Sequence, residues 1–155
     1  MPGSQNTPVA APTAKRAPVQ QAALAAGAVF LLVGIAGFIP GVTTHYDALT
    51  FAGHHSGAQL FGLFEVSVLH NIVHLLFGIL GLALFSTFNG ARGYLIASGV
   101  IYLVLFVAGM AIEPTSSTNV LPVNDADNWL HLGLGLALAA AGLILGRRGQ
   151  GKIGG

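Results

Sequence analysis

Four apolar stretches, with nearly all of the charge placed between and beyond them, constrain this chain more than any other feature. They cover about residues 20–39, 68–86, 94–112 and 129–146. A helix of roughly 20 apolar residues, rising 1.5 Å per residue, matches the hydrocarbon thickness of a bilayer. Only 7% of the 155 residues are charged and 54% are hydrophobic, with a mean hydropathy of +0.75. An ordinary soluble domain carries about a quarter of its residues as charges. The expected fold class is therefore an all-α polytopic membrane protein with four transmembrane helices in one domain over residues 19–147. Residues 1–18, with Pro2, Pro8, Pro12 and Pro18 among Ala, Ser, Thr and Gln, have little to bury and are expected to be a disordered tail. The Gly-rich residues 148–155 are expected to be a flexible one.

Charge sets the expected orientation. Lys15 and Arg16 precede the first stretch, Arg92 lies between the second and third, and Arg147, Arg148 and Lys152 follow the fourth. The outer loops, residues 40–67 and 113–128, hold Asp47, Glu65, Glu113, Asp125 and Asp127 and no Lys or Arg. The positive-inside rule then places both termini in the cytoplasm and the chain in the cytoplasmic membrane. A secretory signal is the competing reading of the first stretch. It is disfavoured by the length of the stretch and by the lack of a small-x-small cleavage site after it.

An internal repeat points to a duplicated helical hairpin. Asn71, His74, Leu75 and Gly78 recur as Asn128, His131, Leu132 and Gly135, at an offset of 57. Gly27, Leu31, Ala36 and Gly37 recur as Gly99, Leu103, Ala108 and Gly109, at an offset of 72, with Phe30 on Tyr102. The 15-residue difference is an insertion in the first outer loop, expected to lie along the outer surface as a short amphipathic piece. Both copies run the same way through the membrane, which implies a pseudo-two-fold axis along its normal. Ser67 and Asn124 occupy equivalent N-cap positions, and Asp127 follows Asn124 by three residues, where a carboxylate suits a helix start. Trp129 reads as an interfacial anchor.

At 100° per residue, Ser67, His70, Asn71, His74, Gly78 and Gly81 share one arc of the second helix, and Asn128, His131, Gly135 and Gly142 share one arc of the fourth. Small and polar residues on one face mark helix contacts in lipid, so the two stripes are expected to face each other. The intramembrane polar cluster is His70, Asn71, His74, Asn128 and His131. One reading is structural, the four repeated residues hydrogen-bonding across the pseudo-two-fold. Another is a metal site, because His70 and His74 at i, i+4 present two imidazoles that His131 could join around zinc or copper. A third is bis-His haem ligation by His74 and His131, with the glycines leaving room for a porphyrin. A fourth is a proton or small-molecule site, since ionisable groups within a membrane are functional candidates by default.

Other features exclude more than they assign. With no cysteine there is no disulfide, thiolate nucleophile or Cys-bound metal. A net charge of +1 gives no phosphate-binding surface, so nucleic acid is excluded as a partner. No nucleotide-binding, nucleophile-elbow or zinc-protease motif occurs, so the chain reads as non-enzymatic. His45, His54 and His55 could hold a cation but read more simply as solvated loop residues, and Glu65 reads as interfacial.

The strings from Leu63 to Gly78 and from Asn124 to Leu132, with the motifs H-N-x-V-H-L and D-N-x-L-H-L, resemble a family of small four-helix bacterial membrane proteins, many of them actinobacterial. It is catalogued as domain-of-unknown-function family four-three-eight-three. The resemblance spans residues 21–146 and implies a membrane location and four spans, with no activity, cofactor or partner. Family members often have Asn where this chain has Ser67, and Pro where it has Glu65.

The function expected from the residues is a scaffold or accessory subunit whose Gly-rich faces pack against another membrane protein or a second copy. A metal- or haem-binding module at the His cluster, and a transporter or channel component, are the alternatives.

Overall fold

The computed structural model describes residues 15–53, 56–113, 116, 120–121 and 123–147. His54, His55, Pro122, residues 1–14 of the tail expected over residues 1–18, and the tail expected over residues 148–155 lie outside them. The described chain is mostly helical, in the order α1 (Pro18–Ala36), β1 (Thr43–Thr44), a single 3-10 turn (Tyr46–Ala48), β2 (Gln59–Leu60), β3 (Phe64–Glu65), α2 (Val68–Leu84), α3 (Phe88–Ala111) and α4 (Asp125–Ile144).

Three of the four helices, α1, α3 and α4, are long and apolar enough to cross a membrane. The shorter α2 has 17 residues and is equally apolar. Large apolar side chains such as Leu32, Val104, Val107 and Ile144 stay exposed on the outer faces of the helices. A continuous apolar exterior of this kind calls for lipid around it. The helices mark a membrane protein.

The starts and ends follow from local chemistry. Pro18 opens α1, where its missing N–H costs nothing, and the Gln20 side chain accepts from the Ala17 N–H at 3.0 Å. The Gln20 amide also donates to the carbonyls of Phe85 and Ser86, which ties the start of α1 to the end of α2. Thr87 caps α3 by accepting from the Gly90 N–H. This places the start of α3 at Phe88, six residues before the apolar stretch begins.

Glycine decides how the helices pair. A methyl added to Gly27 would meet the backbone of Gly81, and one added to Gly78 would meet the backbone of Leu31, so α1 and α2 pack backbone to backbone. Gly99 abuts Ala139 and Gly135 abuts Leu103, which joins α3 to α4 in the same manner. The expectation that the stripes of α2 and α4 face each other is corrected here. Small residues dictate close approach but do not name the neighbour, and the neighbour is the preceding helix of the same hairpin. The hairpins meet through Phe30 of α1, stacked on Tyr102 of α3 with ring centroids 5.4 Å apart, and through the Tyr94 hydroxyl, which donates to the Phe77 carbonyl. Val19, Ala23, Leu95 and Leu138 complete this core.

The segment between α1 and α2 departs from the all-α expectation. β1, β2 and β3 form a small antiparallel meander in that order, Thr43 opposite Leu60 and Leu60 opposite Phe64. The amphipathic piece expected there is replaced by this sheet. Two-residue strands leave no periodicity to read, and the turn Phe61–Gly62, with φ of +54° and +68°, depends on a glycine at only one of its positions. Ala58, Leu60 and Val66 seat the meander on Val33 and Ala36 of α1.

Candidate functional site

Both polar helix starts are capped by their own side chains. Ser67 accepts from the His70 N–H at 3.1 Å, and Asn124 accepts from the Asp127 N–H at 3.0 Å. Asp127 returns the bond, its Oδ2 accepting from the Asn124 N–H at 3.0 Å, and the same oxygen accepts from the Glu65 N–H at 2.9 Å. One buried carboxylate therefore closes the first turn of α4 and fastens β3 to it. The Asn124 side chain adds a bond to the Leu63 carbonyl. The Glu65 carboxyl, half-buried on β3, is raised above its ordinary pKa by desolvation.

The two asparagines have a different task. Asn71 and Asn128 are buried, and each lies against a glycine of the neighbouring helix. A methyl on Gly37 would collide with Asn71 Oδ1, and one on Gly109 would collide with Asn128 Oδ1. Only hydrogen at the glycine Cα leaves space for the amide.

The histidines converge where the hairpins meet. The Nε2 atoms of His70 and His74 are 3.2 Å apart, and the Tyr102 hydroxyl is 3.4 Å from His74 Nε2. The His131 ring of α4 meets the Tyr102 ring edge-on at 5.3 Å between centroids and lies 6.4 Å from that of His70. Phe30 and Phe77 close the cluster from the apolar side. Asn71 Nδ2, His74 Nδ1, Asn128 Oδ1 and His131 Nδ1 are buried without a hydrogen-bond partner among the described residues. Such atoms are costly in a membrane interior unless something else meets them.

Two clefts flank the cluster. Between α2 and α3 lies a cavity of about 310 Å³, walled by Val73, Phe77, Ile101, Leu105 and Ala108, with Val120, Leu121 and Val123 from the segment before α4. His70, His74, Tyr102 and His131 supply its polar lining. Between α1 and α4 lies a smaller cavity of about 80 Å³, which touches the same four residues from the other side. Leu60, Phe61, Phe64 and Val66 from the meander line that side.

The structure thus gathers His70, His74 and His131 and seats Asn71 and Asn128 on glycines. Tyr102 is the member that the sequence reading did not single out. Its signal was present, because the repeat places it opposite Phe30, and a hydroxyl added within an apolar helix has to find a partner. Gly78 and Gly135, assigned to a porphyrin slot in the haem reading, lie against Leu31 and Leu103, so helix packing uses that space. Among the described residues no group of three or more His, Cys, Asp or Glu side chains is arranged to hold a metal ion.

A family model described as a domain of unknown function (DUF4383) matches residues 20–144, four-fifths of the chain. No curated protein matches, and no solved structure does.

Proposed function

We propose that this chain, which belongs to the DUF4383 family, is a non-enzymatic accessory protein of the cytoplasmic membrane that holds a small ligand in the α2–α3 cleft. One observation carries this reading. A cavity of about 310 Å³ has apolar walls and a polar end formed by His70, His74, Tyr102 and His131. Apolar pockets of this size with a few converging polar groups are the usual form of small-molecule sites. If the cluster served only to join the helices, its members would be expected to satisfy one another.

The same reading takes all four helices as spans with both termini in the cytoplasm. At 17 residues and roughly 25 Å, α2 is at the short end for crossing. Lys15, Arg16, Arg92 and Arg147 cluster at one end of the bundle in sequence order, which supports the orientation. The duplication is supported by contacts that repeat at the offsets of the sequence repeat. Gly37 with Asn71 corresponds to Gly109 with Asn128, and Leu31 with Gly78 corresponds to Leu103 with Gly135.

A divalent transition metal is the second reading, favoured by the 3.2 Å between His70 and His74 Nε2. That is close to the edge, roughly 3.3 Å, of a tetrahedron with metal–nitrogen bonds of about 2.0–2.1 Å.

Native mass spectrometry of the detergent-purified protein, with metal analysis and a visible spectrum of the same sample, tests the proposal. The parent should carry a small organic mass that is lost in Ala108→Phe, which fills the cleft. A bound metal with no organic mass would favour the second reading. A clean apoprotein that takes up neither would defeat both.

A further inference from the structure

We infer that the α2–α3 cleft takes an uncharged, lipid-soluble molecule whose head is an oxygen-substituted six-membered ring, of the phenol or quinone class. The inference rests on the proposed binding role and deepens it by naming the ligand chemistry.

Three features of the cleft converge on this class. First, among the described residues that line it there is no Asp, Glu, Lys or Arg. A phosphate or carboxylate head would enter without a guanidinium or ammonium, and an ammonium head without a carboxylate, and an unpaired charge in such a place is costly. Second, the polar groups present are three imidazoles and the Tyr102 hydroxyl, which between them can both donate and accept. His131 is 4% exposed, so its imidazole is almost wholly withdrawn from solvent. A ring hydroxyl or carbonyl meets such groups with one or two oxygens. Third, Phe77 and Tyr102 stand beside the polar end at 5.9 Å between centroids, set edge to face, which offers a flat head an aromatic wall. Beyond them the lining turns aliphatic, with Ile101, Leu105 and Ile112, and suits a short hydrocarbon tail. The cavity of about 310 Å³ is at the small end of the range for drug-sized ligands, enough for one ring and a few carbons.

The smaller cleft touches the same four polar residues but differs in charge and size. Asp127 lines it, and its volume of about 80 Å³ leaves no space for a ring with a tail, so a single site per chain is expected.

Equilibrium binding of five probes to the full-length protein in detergent tests the class: 4-hexylphenol, hexyl-1,4-benzoquinone, hexylbenzene, hexyl phosphate and hexyltrimethylammonium. The phenol or the quinone should saturate at one per chain. The other three should bind at least about tenfold more weakly, the loss of one good hydrogen bond or the burial of one unpaired charge. Which of the two binds more tightly shows whether the favoured head donates through a ring hydroxyl or accepts through a ring carbonyl. Tyr102→Phe and His131→Leu should each weaken the preferred probe by about tenfold, and Ala108→Phe should abolish its binding while the helical circular dichroism stays unchanged. Leu105→Trp, on the adjacent turn of α3, provides a second way to fill the cleft should Ala108→Phe fail to fold. Equal binding of hexylbenzene, or tighter binding of the phosphate or the ammonium, would overturn the ring-oxygen class and leave the binding role intact. Failure of all five probes, with an unrelated organic mass retained by the parent and lost in Ala108→Phe, would do the same. Failure of all five with no retained mass would remove the binding role as well.

Discussion

Asp127 Oδ2 accepts the backbone N–H of Glu65 at 2.9 Å, so the first turn of α4 and the last strand of the meander are held by one buried oxygen atom. That oxygen also accepts from Asn124, and the carboxylate is 2% exposed. Removing it leaves two N–H donors without their acceptor. Asp127→Ala should lower stability by about 2 kcal/mol, whereas Asp127→Asn, which keeps one oxygen, should cost less than half as much. Denaturation in detergent, followed by circular dichroism, measures both. Equal losses would mean that the charge, and not the acceptor, holds the meander.

The Glu65 carboxyl is raised by desolvation, so it binds its proton more tightly in the folded chain than in the unfolded one. Its contribution favours folding at low pH and is lost as pH climbs through the ordinary Glu range, about 4.3, toward the raised value. Glu65→Gln cannot ionise. It should therefore melt above the parent at neutral pH and together with it well below that range. A difference that stays constant with pH would contradict the assignment of the shift to Glu65.

The glycines opposite the two asparagines are expected to be intolerant. Gly37→Ala and Gly109→Ala each place a methyl within van der Waals distance of an amide oxygen and should cost about 1–3 kcal/mol. Gly133→Ala meets nothing within 4 Å and should be neutral or stabilising by up to about 1 kcal/mol, because alanine is the better helix former. Gly109→Ala combined with Asn128→Ala should recover most of the loss. Melting temperatures of the four variants decide the matter, and a double variant no better than Gly109→Ala would show that the clash lies elsewhere.

His74 separates a hydrogen-bonded joint from a ligand site. If its ring only satisfies neighbours, His74→Gln should cost little and His74→Leu about 1–2 kcal/mol. If it holds a ligand through ring nitrogen, both variants should lose the ligand, and adding ligand should stabilise the parent alone. Thermal shifts with and without the probe compare the two. Small, equal effects of both substitutions in a ligand-free parent would leave the cluster without either role.

Orientation can be read with single cysteines, since the chain has none of its own. A cysteine at Phe51, which is exposed on the first outer loop, should react with an impermeant thiol reagent from outside intact cells, and one at Gln150 should not. Ser56 would be a poor reporter, because it is buried with its hydroxyl bonded to the Val66 carbonyl. Labelling at Gln150 from outside would reverse the proposed topology.

Much of this architecture was legible because lipid imposes simple demands. Apolar runs located the helices to within a few residues, apart from the start of α3, which Thr87 sets by capping and hydropathy does not register. The histidines of the cluster were legible because an imidazole in an apolar run stands out against its neighbours. Their surroundings were not. Which helix Gly78 and Gly135 pack against depends on interhelical geometry, and nothing in a one-dimensional stripe specifies it. Tyr102 was passed over because a tyrosine among Ile101, Leu103 and Val104 reads as one more apolar residue until its hydroxyl is seen beside His74. The meander was missed because its order comes from Asp127 and Asn124, more than 60 residues away, and from the seating of Leu60 and Val66.

The asparagine seats also limit how the sequence can drift. Position 37 can gain a side chain only if position 71 gives up its amide, and positions 109 and 128 are tied in the same way. Each pair can change only by way of a less stable intermediate, so substitutions there should appear in lineages as coupled events. Gly93 and Gly133, which face open space, are under no such restriction and should wander freely to alanine. Covariation at 37 with 71 and at 109 with 128, beside independent variation at 93 and 133, is the historical trace that this packing would leave.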